Sequence, residues 1–258
     1  MPASTGHILV TGAGTGIGRA IARRLAADGA AVSLVGRTLD RLEATRDEIT
    51  GAGGTASAHP CDVRDRDEVE AAVDAACGLH GALAAAVANA GVGGPNEDGP
   101  DDRFEEIVST NLGGTYRTLR TAAARLRPAD EGPRSLVATS SVLARIGVPG
   151  YTAYCGSKAG VLGLVRALAV ELAADGVTVN AICPGWVDTA MSREGIEAMA
   201  ASEEIPFDDA LARAMREVPM GRMSRPEDIA GVVAWLLSAD ARMVTGQGID
   251  ANGGAYLG

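Results

Sequence analysis

The chain has 258 residues, of which 47% are hydrophobic and 22% charged, and its net charge at pH 7 is −10. These values are typical of a globular protein and exclude a wholly disordered chain or a coiled coil. The length favours one large α/β domain, spanning 1–258, over two smaller domains. An acidic chain is repelled by nucleic-acid phosphates and by anionic lipid surfaces, so we expect neither as a partner.

Two further features concern location and metal binding. No apolar run reaches the ~18 residues of a membrane-spanning helix, and the first residues lack the basic and apolar stretches of a signal peptide. The four cysteines form no C-x-x-C pair and show no metal-ligand spacing. We therefore expect a cytoplasmic protein with free thiols and no metal site.

Short β-rich runs alternate with helical stretches along the whole chain. The predicted strands are Ile8–Thr11, Ala31–Val35, Ala56–His59, Leu83–Ala88, Ser135–Thr139, Val177–Ile182 and Gly248–Asp250. The predicted helices are Gly16–Ala27, Leu39–Thr50, Arg66–Leu79, Asp102–Leu126, Thr152–Ala174 and Pro226–Leu237. This alternation predicts a single doubly wound Rossmann domain, with a seven-stranded parallel sheet and helices on both faces. Functional residues are then expected directly after strands, at the carboxyl edge of the sheet.

The segment 188–222 interrupts this alternation before the last long helix and has no strand character. Such an excursion at the ligand edge of a sheet is typical of a lid or substrate loop, and a plain helical insertion is the alternative. Its apolar side chains, together with Trp186, either line an adaptable pocket or are ordinary loop packing. These side chains are Met191, Met199, Phe207, Met215 and Met220.

The first predicted strand leads into a glycine-rich turn followed by a helix, Thr11-Gly12-Ala13-Gly14-Thr15-Gly16-Ile17-Gly18. The glycines match G-x-x-x-G-x-G and depart from G-x-G-x-x-G. Backbone N–H groups at the start of such a helix can bind a pyrophosphate. The turn therefore predicts a dinucleotide site, with a glycine-rich turn that binds no ligand as the alternative.

The residues that follow the second strand bear on which dinucleotide binds. An NAD site usually has a carboxylate here for the ribose hydroxyls, whereas this chain has Gly36 and Arg37. A guanidinium favours a 2′-phosphate through its charge and two-point hydrogen bonding. Asp40 is placed at the start of the next helix, where an acid favours the helix dipole. We therefore predict NADP(H), with NAD(H) as the alternative.

Tyr154 and Lys158 lie one turn apart on the same face of a predicted helix. Lys158 is the single lysine among 23 basic residues, either by chance or because a compact ammonium is needed there and a guanidinium will not serve. A phenol has a pKa near 10, and a close ammonium can bring it toward neutrality in a partly dry site. Such a phenol can exchange a proton with a substrate oxygen, although a surface Tyr-Lys pair is the alternative.

Further residues follow the strands in a recognisable order. Asn89-Ala90-Gly91 follow the fourth strand, Asn111 lies in the next helix, Ser141 precedes Tyr154 by 13 residues and Pro184-Gly185 follow the sixth strand. With the glycine turn and Tyr154-x-x-x-Lys158, this order resembles the short-chain dehydrogenase/reductase family, in its single-domain branch. The segment 218–222 resembles β-ketoacyl carrier-protein reductases and polyketide ketoreductases.

The resemblance implies roles for the matching residues. Tyr154 is the expected general acid/base, and Lys158 is expected to lower its pKa and bind the nicotinamide ribose. Ser141 is expected to hold the substrate carbonyl, with Ser140 as the less favoured candidate, and Asn111 to hold a water linked to Lys158. The expected coenzyme contacts are Thr11, Gly12, Thr15, Gly16, Ile17, Gly18, Arg37, Asp62, Val63, Asn89, Ala90, Gly91, Tyr154, Lys158, Pro184, Gly185, Val187 and Thr189.

We therefore expect an NADP(H)-dependent oxidoreductase that transfers hydride between the nicotinamide and a ketone or secondary alcohol. The substrate is expected to be apolar or of β-ketoacyl type, either a small molecule or tethered to a carrier. Carrier docking would need a basic patch, for which Arg120, Arg125 and Arg127 are candidates. An NAD-dependent catabolic alcohol dehydrogenase is the alternative, and the complete Ser-Tyr-Lys set disfavours a non-catalytic dinucleotide-binding protein.

One predicted helix bears on assembly. From Ala159 to Ala173 only Arg166 and Glu171 are charged, so the helix is apolar around most of its circumference. One face can cover the sheet and the preceding helix can cover part of the remainder. A second subunit is the expected cover for the rest, so we predict a homodimer or homotetramer.

Overall fold

The computed structural model describes residues 6–96 and 99–258. The strands are β1 (His7–Thr11), β2 (Ala31–Gly36), β3 (Thr55–Pro60), β4 (Leu83–Ala88), β5 (Arg134–Thr139), β6 (Val177–Pro184) and β7 (Gly248–Ala251). The α-helices are α1 (Gly16–Ala27), α2 (Leu39–Gly51), α3 (Arg66–His80), α4 (Phe104–Val108), α5 (Thr115–Ala123), α6 (Thr152–Leu172), α7 (Ala190–Glu203), α8 (Phe207–Arg216) and α9 (Pro226–Leu236). A π-helix spans Ser109–Gly114, and short 3₁₀ turns span Ala129–Glu131, Val142–Ala144 and Ala239–Ala241.

The seven strands form one sheet in the order β3-β2-β1-β4-β5-β6-β7, and all the strand pairs are parallel. The predicted α/β fold with a seven-stranded parallel sheet is confirmed. The direction of winding reverses between β1 and β4. At such a reversal point, open α/β sheets bind their ligands beyond the carboxyl ends of the strands.

Two apolar layers cover the sheet, because successive strand side chains point to opposite faces. Ile8 and Val10 of β1 belong to the cluster that packs on α1 and α9, whereas Leu9 belongs to the cluster that packs on α3, α5 and α6. These strand residues are fully buried. Burial on both faces explains why the central strand β4 is a continuous apolar run without polar alternation.

The helix predicted over Asp102–Leu126 is present over 104–123, because α4, the π-helix and α5 follow one another without a break and the residues at their junctions have helical backbone angles. The prediction missed the ends of this helix and the π segment in its middle, and Leu126 pairs with Leu83 outside it. The wider π turn has a physical cause in Asn111, whose amide group exchanges two hydrogen bonds with the backbone of Val92, at 2.9 and 3.0 Å. π turns are frequent at functional sites, and this one lies beside the loop that follows β4.

The excursion at 188–222 contains two helices, α7 and α8, which pack on each other around Ile196, Ala200, Ala210 and Ala214. Four of the apolar side chains considered for a pocket pack against this small core, namely Trp186, Met199, Phe207 and Met215. For these four, the contacts agree with ordinary loop packing. Met220 is 65% exposed, whereas Met191 lies against the loop after β4, 2.9 Å from the Cβ position that Gly93 lacks.

Helix α6 is long and apolar enough to cross a membrane by length and composition. Its Val161, Val165 and Leu168 are buried in the cluster beneath the sheet, together with β5 and β6. It also carries Lys158, which is 4% exposed. These contacts identify α6 as a core helix that covers the sheet.

Candidate active site

The glycine turn after β1 is shaped for close backbone approach. Gly12 has a φ of +67°, and a Cβ there would lie 2.9 Å from the Cα of Ala90. A Cβ on Gly18 would collide with the carbonyl oxygen of Gly12. Both positions therefore require glycine, because a side chain would push α1 away from the turn.

The start of α1 borders the cleft. Thr15 is the exposed N-cap residue, and its side chain makes no capping hydrogen bond. Gly16 has a φ of +50°, and its missing Cβ would lie 3.1 Å from Cγ2 of Thr189, which follows β6. Ile17 faces inward and packs on the core. The first-turn N–H groups of α1 thus point to a cleft, and Thr189 forms its far wall. Helix N–H groups placed in this way can bind an anion.

A cluster of hydrogen bonds joins the ends of β1, β4 and β5. Thr11 Oγ1 accepts the N–H groups of Asn89 and Ala90, both at 3.0 Å. Asn89 Nδ2 donates to the carbonyl oxygen of Thr11 at 3.2 Å, and Thr139 Oγ1 donates to Asn89 Oδ1 at 3.2 Å. These side chains fix the floor of the cleft. Gly91 continues it, since a Cβ there would lie 3.1 Å from Asn111 Oδ1 and 3.5 Å from Lys158 Nζ.

The ends of β2 and β3 form a second groove, lined by Arg37, His59, Asp62 and Glu68. Arg37 is exposed, and within residues 6–96 and 99–258 it has no hydrogen-bond or ion-pair partner. Asp62 instead pairs with Arg64 at 2.6 Å, and this hydrogen bond lowers the pKa of Asp62 more than the weaker attraction of Arg37.

Two other residues near this groove are placed differently. Asp40 lies in the first turn of α2, as predicted, and its side chain is exposed. The side chain of Val63 is buried against Gly114 of the π-helix, where a Cβ would collide with it. Any ligand contact of Val63 must therefore be made mainly through its backbone.

Tyr154, Ser141 and Lys158 come together where β5 and α6 meet. Ser141 lies close enough to Tyr154 to act on the pKa of the phenol, and its Oγ accepts the N–H of Leu143 at 3.1 Å. Lys158 Nζ lies 5.6 Å from the centre of the Tyr154 ring and donates to the carbonyl oxygen of Thr139 at 2.8 Å. Ser140 makes a different contact, because its Oγ donates to the backbone oxygen of Lys158 at 2.8 Å and fastens α6 to β5. Of the two serines, Ser141 is the one that acts on the phenol.

Burial dominates the protonation of this group. Loss of solvent raises the pKa of Tyr154, and the neighbouring Ser141 hydroxyl opposes that shift. Loss of solvent also lowers the pKa of Lys158 to about 8, against a smaller opposing effect of Cys183. Lys158 donates to Thr139 and is not among the groups that shift the pKa of Tyr154, so the lowering of the phenol pKa by Lys158 stays a prediction.

Asn111 is fully buried, and both ends of its side-chain amide make hydrogen bonds. Besides its bond to Val92, Nδ2 donates to Ser157 Oγ at 3.2 Å. The backbone oxygen of Asn111 accepts from Thr115 Oγ1 at 2.7 Å. Ser157 Oγ in turn donates to the carbonyl oxygen of Tyr154 at 2.8 Å. Asn111 thus ties the π-helix both to the loop after β4 and to α6.

The segment after β6 forms the remaining wall. Pro184 pairs with Ala251 of β7, and Gly185 packs so closely on Asn252 that a Cβ would lie 3.1 Å from its Cβ. Val187 is buried and bridges to Ser224, and Thr189 caps α7 by accepting the N–H of Ser192 at 3.4 Å.

All the predicted site residues lie in the described part of the chain, and most border one cleft at the carboxyl edge of the sheet. Sequence reasoning missed Thr139. Its backbone oxygen accepts a hydrogen bond from Lys158 Nζ, and its hydroxyl donates to Asn89 Oδ1. Its only signal is its position as the last residue of β5. Within residues 6–96 and 99–258, no group of His, Cys, Asp and Glu side chains could hold a metal ion.

Known proteins share this architecture. A family model described as enoyl-(acyl carrier protein) reductase matches residues 12–256. A putative ketoacyl reductase of Streptomyces coelicolor is 37% identical over 248 residues, 95% of each chain. The 3-oxoacyl-(acyl-carrier-protein) reductase FabG of Staphylococcus aureus is 35% identical over 257 residues, 98% of this chain and 99% of its own.

A crystal structure of an actinorhodin polyketide ketoreductase variant with NADPH superposes with a TM-score of 0.92. Its sequence is 36% identical, and the match covers 97% of each chain. The fold, the order of the cleft residues and these full-length similarities lead to one conclusion: the chain belongs to the short-chain dehydrogenase/reductase family and is an oxidoreductase of that family.

Proposed function

We propose that this enzyme is an NADP(H)-dependent ketoreductase in which Tyr154 gives the proton that turns a ketone into a secondary alcohol. The observation that carries the proposal is that Ser141 and the buried ammonium of Lys158 both lie beside the phenol of Tyr154, with the ammonium 5.6 Å from the ring centre. The three groups face the cleft at the reversal point of the sheet, next to the glycine turn.

The cleft residues fit a phosphorylated dinucleotide. The turn lacks the Cβ atoms that would fill it, and the start of α1 offers N–H groups to the pyrophosphate. Arg37 is exposed where a 2′-phosphate would lie, whereas Asp62 is neutralised by Arg64. NADPH in the actinorhodin ketoreductase structure supports the same choice. The reduced nicotinamide, when bound, supplies the hydride. Arg37 disfavours the alternative, an NAD-dependent catabolic alcohol dehydrogenase.

The protonation of Tyr154 favours reduction. Because burial raises its pKa, the phenol is protonated at neutral pH and can donate to the oxygen of the carbonyl being reduced. Ser141, which lies beside the phenol, is placed to donate to the same oxygen and hold it. Oxidation of an alcohol needs the phenolate, which this environment disfavours.

Lys158 and Asn111 assist without contacting the carbonyl. With its pKa near 8, Lys158 is mostly charged at neutral pH and stabilises the phenolate left after proton donation. Its bond to Thr139 directs the side chain between β5 and Asn111. Asn111 is proposed to hold a water linked to Lys158, while its side chain bonds to Val92 and Ser157 and keeps the neighbouring backbone in place.

The substrate class is inferred from the named relatives and from the charges on the surface. The named relatives are a ketoacyl reductase, an acyl-carrier-protein reductase and a polyketide ketoreductase, so we assign this chain a β-ketoacyl or polyketide-type ketone. The candidate carrier patch is weak, because Arg120 pairs with Glu171 and Arg125 with Asp74, both at 2.7 Å. The eight carboxylates of 188–222 outnumber its four arginines and would repel an acidic carrier. A free ketone or simple thioester is therefore the favoured substrate.

A homodimer or homotetramer is the favoured assembly. The outer surface of α4, the π-helix, α5 and α6 exposes Phe104 and Tyr116 by about 40% and Val170 by 81%. Between these helices runs an apolar groove lined by Val108, Leu112 and Leu164. An apolar surface of this kind is best covered by a second copy of the chain.

The four cysteines are free thiols, which agrees with a cytoplasmic enzyme.

The test follows NADPH consumption with a panel of cyclic ketones, a 3-oxoacyl thioester and an enoyl thioester. We expect turnover of a ketone or oxoacyl compound and little of the enoyl thioester, which offers no carbonyl to reduce at the position that Ser141 and Tyr154 serve. Tyr154→Phe should abolish turnover and leave NADPH binding nearly intact, and Lys158→Arg should also fail because a guanidinium does not fit the ammonium's place. Near-normal rates in either variant, or a clear preference for the enoyl thioester, would refute the proposal.

A further inference from the structure

We propose that Asn96 is a positioning residue that fixes the first turn of α6 and thereby the phenol of Tyr154. This inference rests on the acid role proposed for Tyr154. Asn96 lies in the loop that follows β4, and its side chain is partly exposed.

The start of α6 has no cap of its own. Tyr151 occupies the N-cap position, and its side chain makes no capping hydrogen bond. Ser, Thr, Asp and Asn are the residues that normally accept the free N–H groups of a first turn. Asn96 performs this task from 57 residues away, because its Oδ1 accepts the N–H of Ala153 at 2.9 Å and the hydroxyl of Thr152 at 3.1 Å.

Asn96 is itself held on two further sides. Its backbone N–H donates to the carbonyl oxygen of Gly150 at 2.8 Å. Its Nδ2 donates to Asp102 Oδ1 at 3.2 Å, and the same oxygen accepts the N–H of Phe104 at the start of α4. One amide side chain thus joins the first turns of α4 and α6.

The position of these contacts explains why they matter for the reaction. Ala153, whose N–H is capped, directly precedes Tyr154 in the chain. Helix ends fray when their N–H groups have no partner, and a misplacement of about 1 Å at a reacting group can cost on the order of 100-fold in rate. The glycine turn and Arg37 make no contact with Asn96, so coenzyme binding should not depend on it.

The test compares kcat, KM and the NADPH dissociation constant in the full-length enzyme, with the ketone of highest turnover. Asn96→Ala should lower kcat by about tenfold and change the NADPH dissociation constant by less than about twofold. Asn96→Gln keeps the amide but displaces its oxygen, so it should lower kcat with little effect on Tm. Amide hydrogen exchange at the start of α6 should accelerate in both variants.

An exchange of side chains provides the rescue. In the double variant N96D/D102N, the carboxylate at position 96 can accept from Ala153 and Thr152, and the amide nitrogen at position 102 can donate to that carboxylate. The N–H of Phe104 then loses its acceptor, because Asp102 Oδ1 serves both contacts in the natural protein. We expect kcat within about twofold of the natural enzyme. Ser238→Ala is a matched control, because Ser238 Oγ accepts the N–H of Asp240 at the start of a distant 3₁₀ turn. It should lower Tm and leave kcat unchanged.

The outcomes separate the two proposals. Unchanged kcat in folded Asn96→Ala and Asn96→Gln, or a loss that the double variant does not restore, would overturn the positioning role. A comparable loss of kcat in Ser238→Ala would overturn it too, since the effect would then be one of general stability. The acid role of Tyr154 fails by a different result, turnover in Tyr154→Phe, whatever the Asn96 variants do.

Discussion

The three histidines of the chain form one hydrogen-bonded network, which predicts an acid-sensitive stability. His7 Nδ1 bonds to the carbonyl oxygen of Gly81 and His7 Nε2 to Ser33 Oγ, both at 2.8 Å. Ser33 bonds to Ser57 at 3.1 Å, and Ser57 bonds to the Nε2 atoms of His59 and His80. The network lies between β1, β2, β3 and the end of α3. Its innermost member, His7, is 3% exposed.

The pKa of His7 falls from 6.5 to about 4, mainly because of burial; the bond to Gly81 opposes this shift, and the nearby His80 and His59 add to it. The unfolded chain therefore binds more protons than the folded protein between these two values. The free energy of unfolding is highest above pH 6.5 and falls as the pH drops toward 4. The shift corresponds to about 3 kcal/mol in full, and to about 2 kcal/mol between pH of about 7.5 and about 5.

The assay is urea unfolding of the coenzyme-free protein at both pH values, at fixed protein concentration, followed by the fluorescence of its two tryptophans. His7→Gln removes the titrating group and retains one donor and one acceptor, so it should lose most of the difference. A smaller part should remain, because burial also lowers the pKa of His59.

Ser33→Ala is the matched control for this experiment. It removes the partner of His7 Nε2 without removing the imidazole. The variant should be less stable at both pH values and keep a loss of about 2 kcal/mol on acidification. If His7→Gln kept the pH dependence of the natural protein, the assignment of that dependence to His7 would be refuted.

Three further predictions concern the cleft and the surface. Arg37→Asp should weaken NADPH strongly, through lost pairing and repulsion of the 2′-phosphate, and spare NADH; an unchanged ratio of kcat/KM for the two coenzymes would show that Arg37 does not distinguish them. Oxidation of the alcohol product should accelerate as pH rises, because it needs the phenolate of Tyr154, whose pKa is raised by burial; a pH-independent oxidation rate, measured by NADPH formation, would contradict this. Light scattering after gel filtration at low micromolar concentration should give a dimer or tetramer, and a mass near 26.1 kDa would disprove it.

The helices and strands that depend on local sequence pattern could be predicted from the sequence. Helix α1 spans Gly16–Ala27 as predicted, and the strand predictions differ from the structure mainly by one or two residues at their ends. Asp40 lies in the first turn of α2, where its charge suits the helix dipole. The positions of Ser141, Tyr154 and Lys158 after β5 and in α6 also follow from order and spacing, because a strand end and one helical turn are local features.

Features that depend on contacts between residues distant in sequence are set by the tertiary structure. The π-helix forms because Asn111 binds Val92, and α6 is capped by Asn96 from another loop. The histidines show no pattern in the sequence, yet the sheet brings His7 and His80 to a ring distance of 5.2 Å. Burial, too, is a property of the whole fold, so the raised pKa of Tyr154 could not be predicted from the spacing of Tyr154 and Lys158. Periodicity reports only on neighbours along the chain, whereas these contacts and the loss of solvent arise from the packing of helices on the sheet.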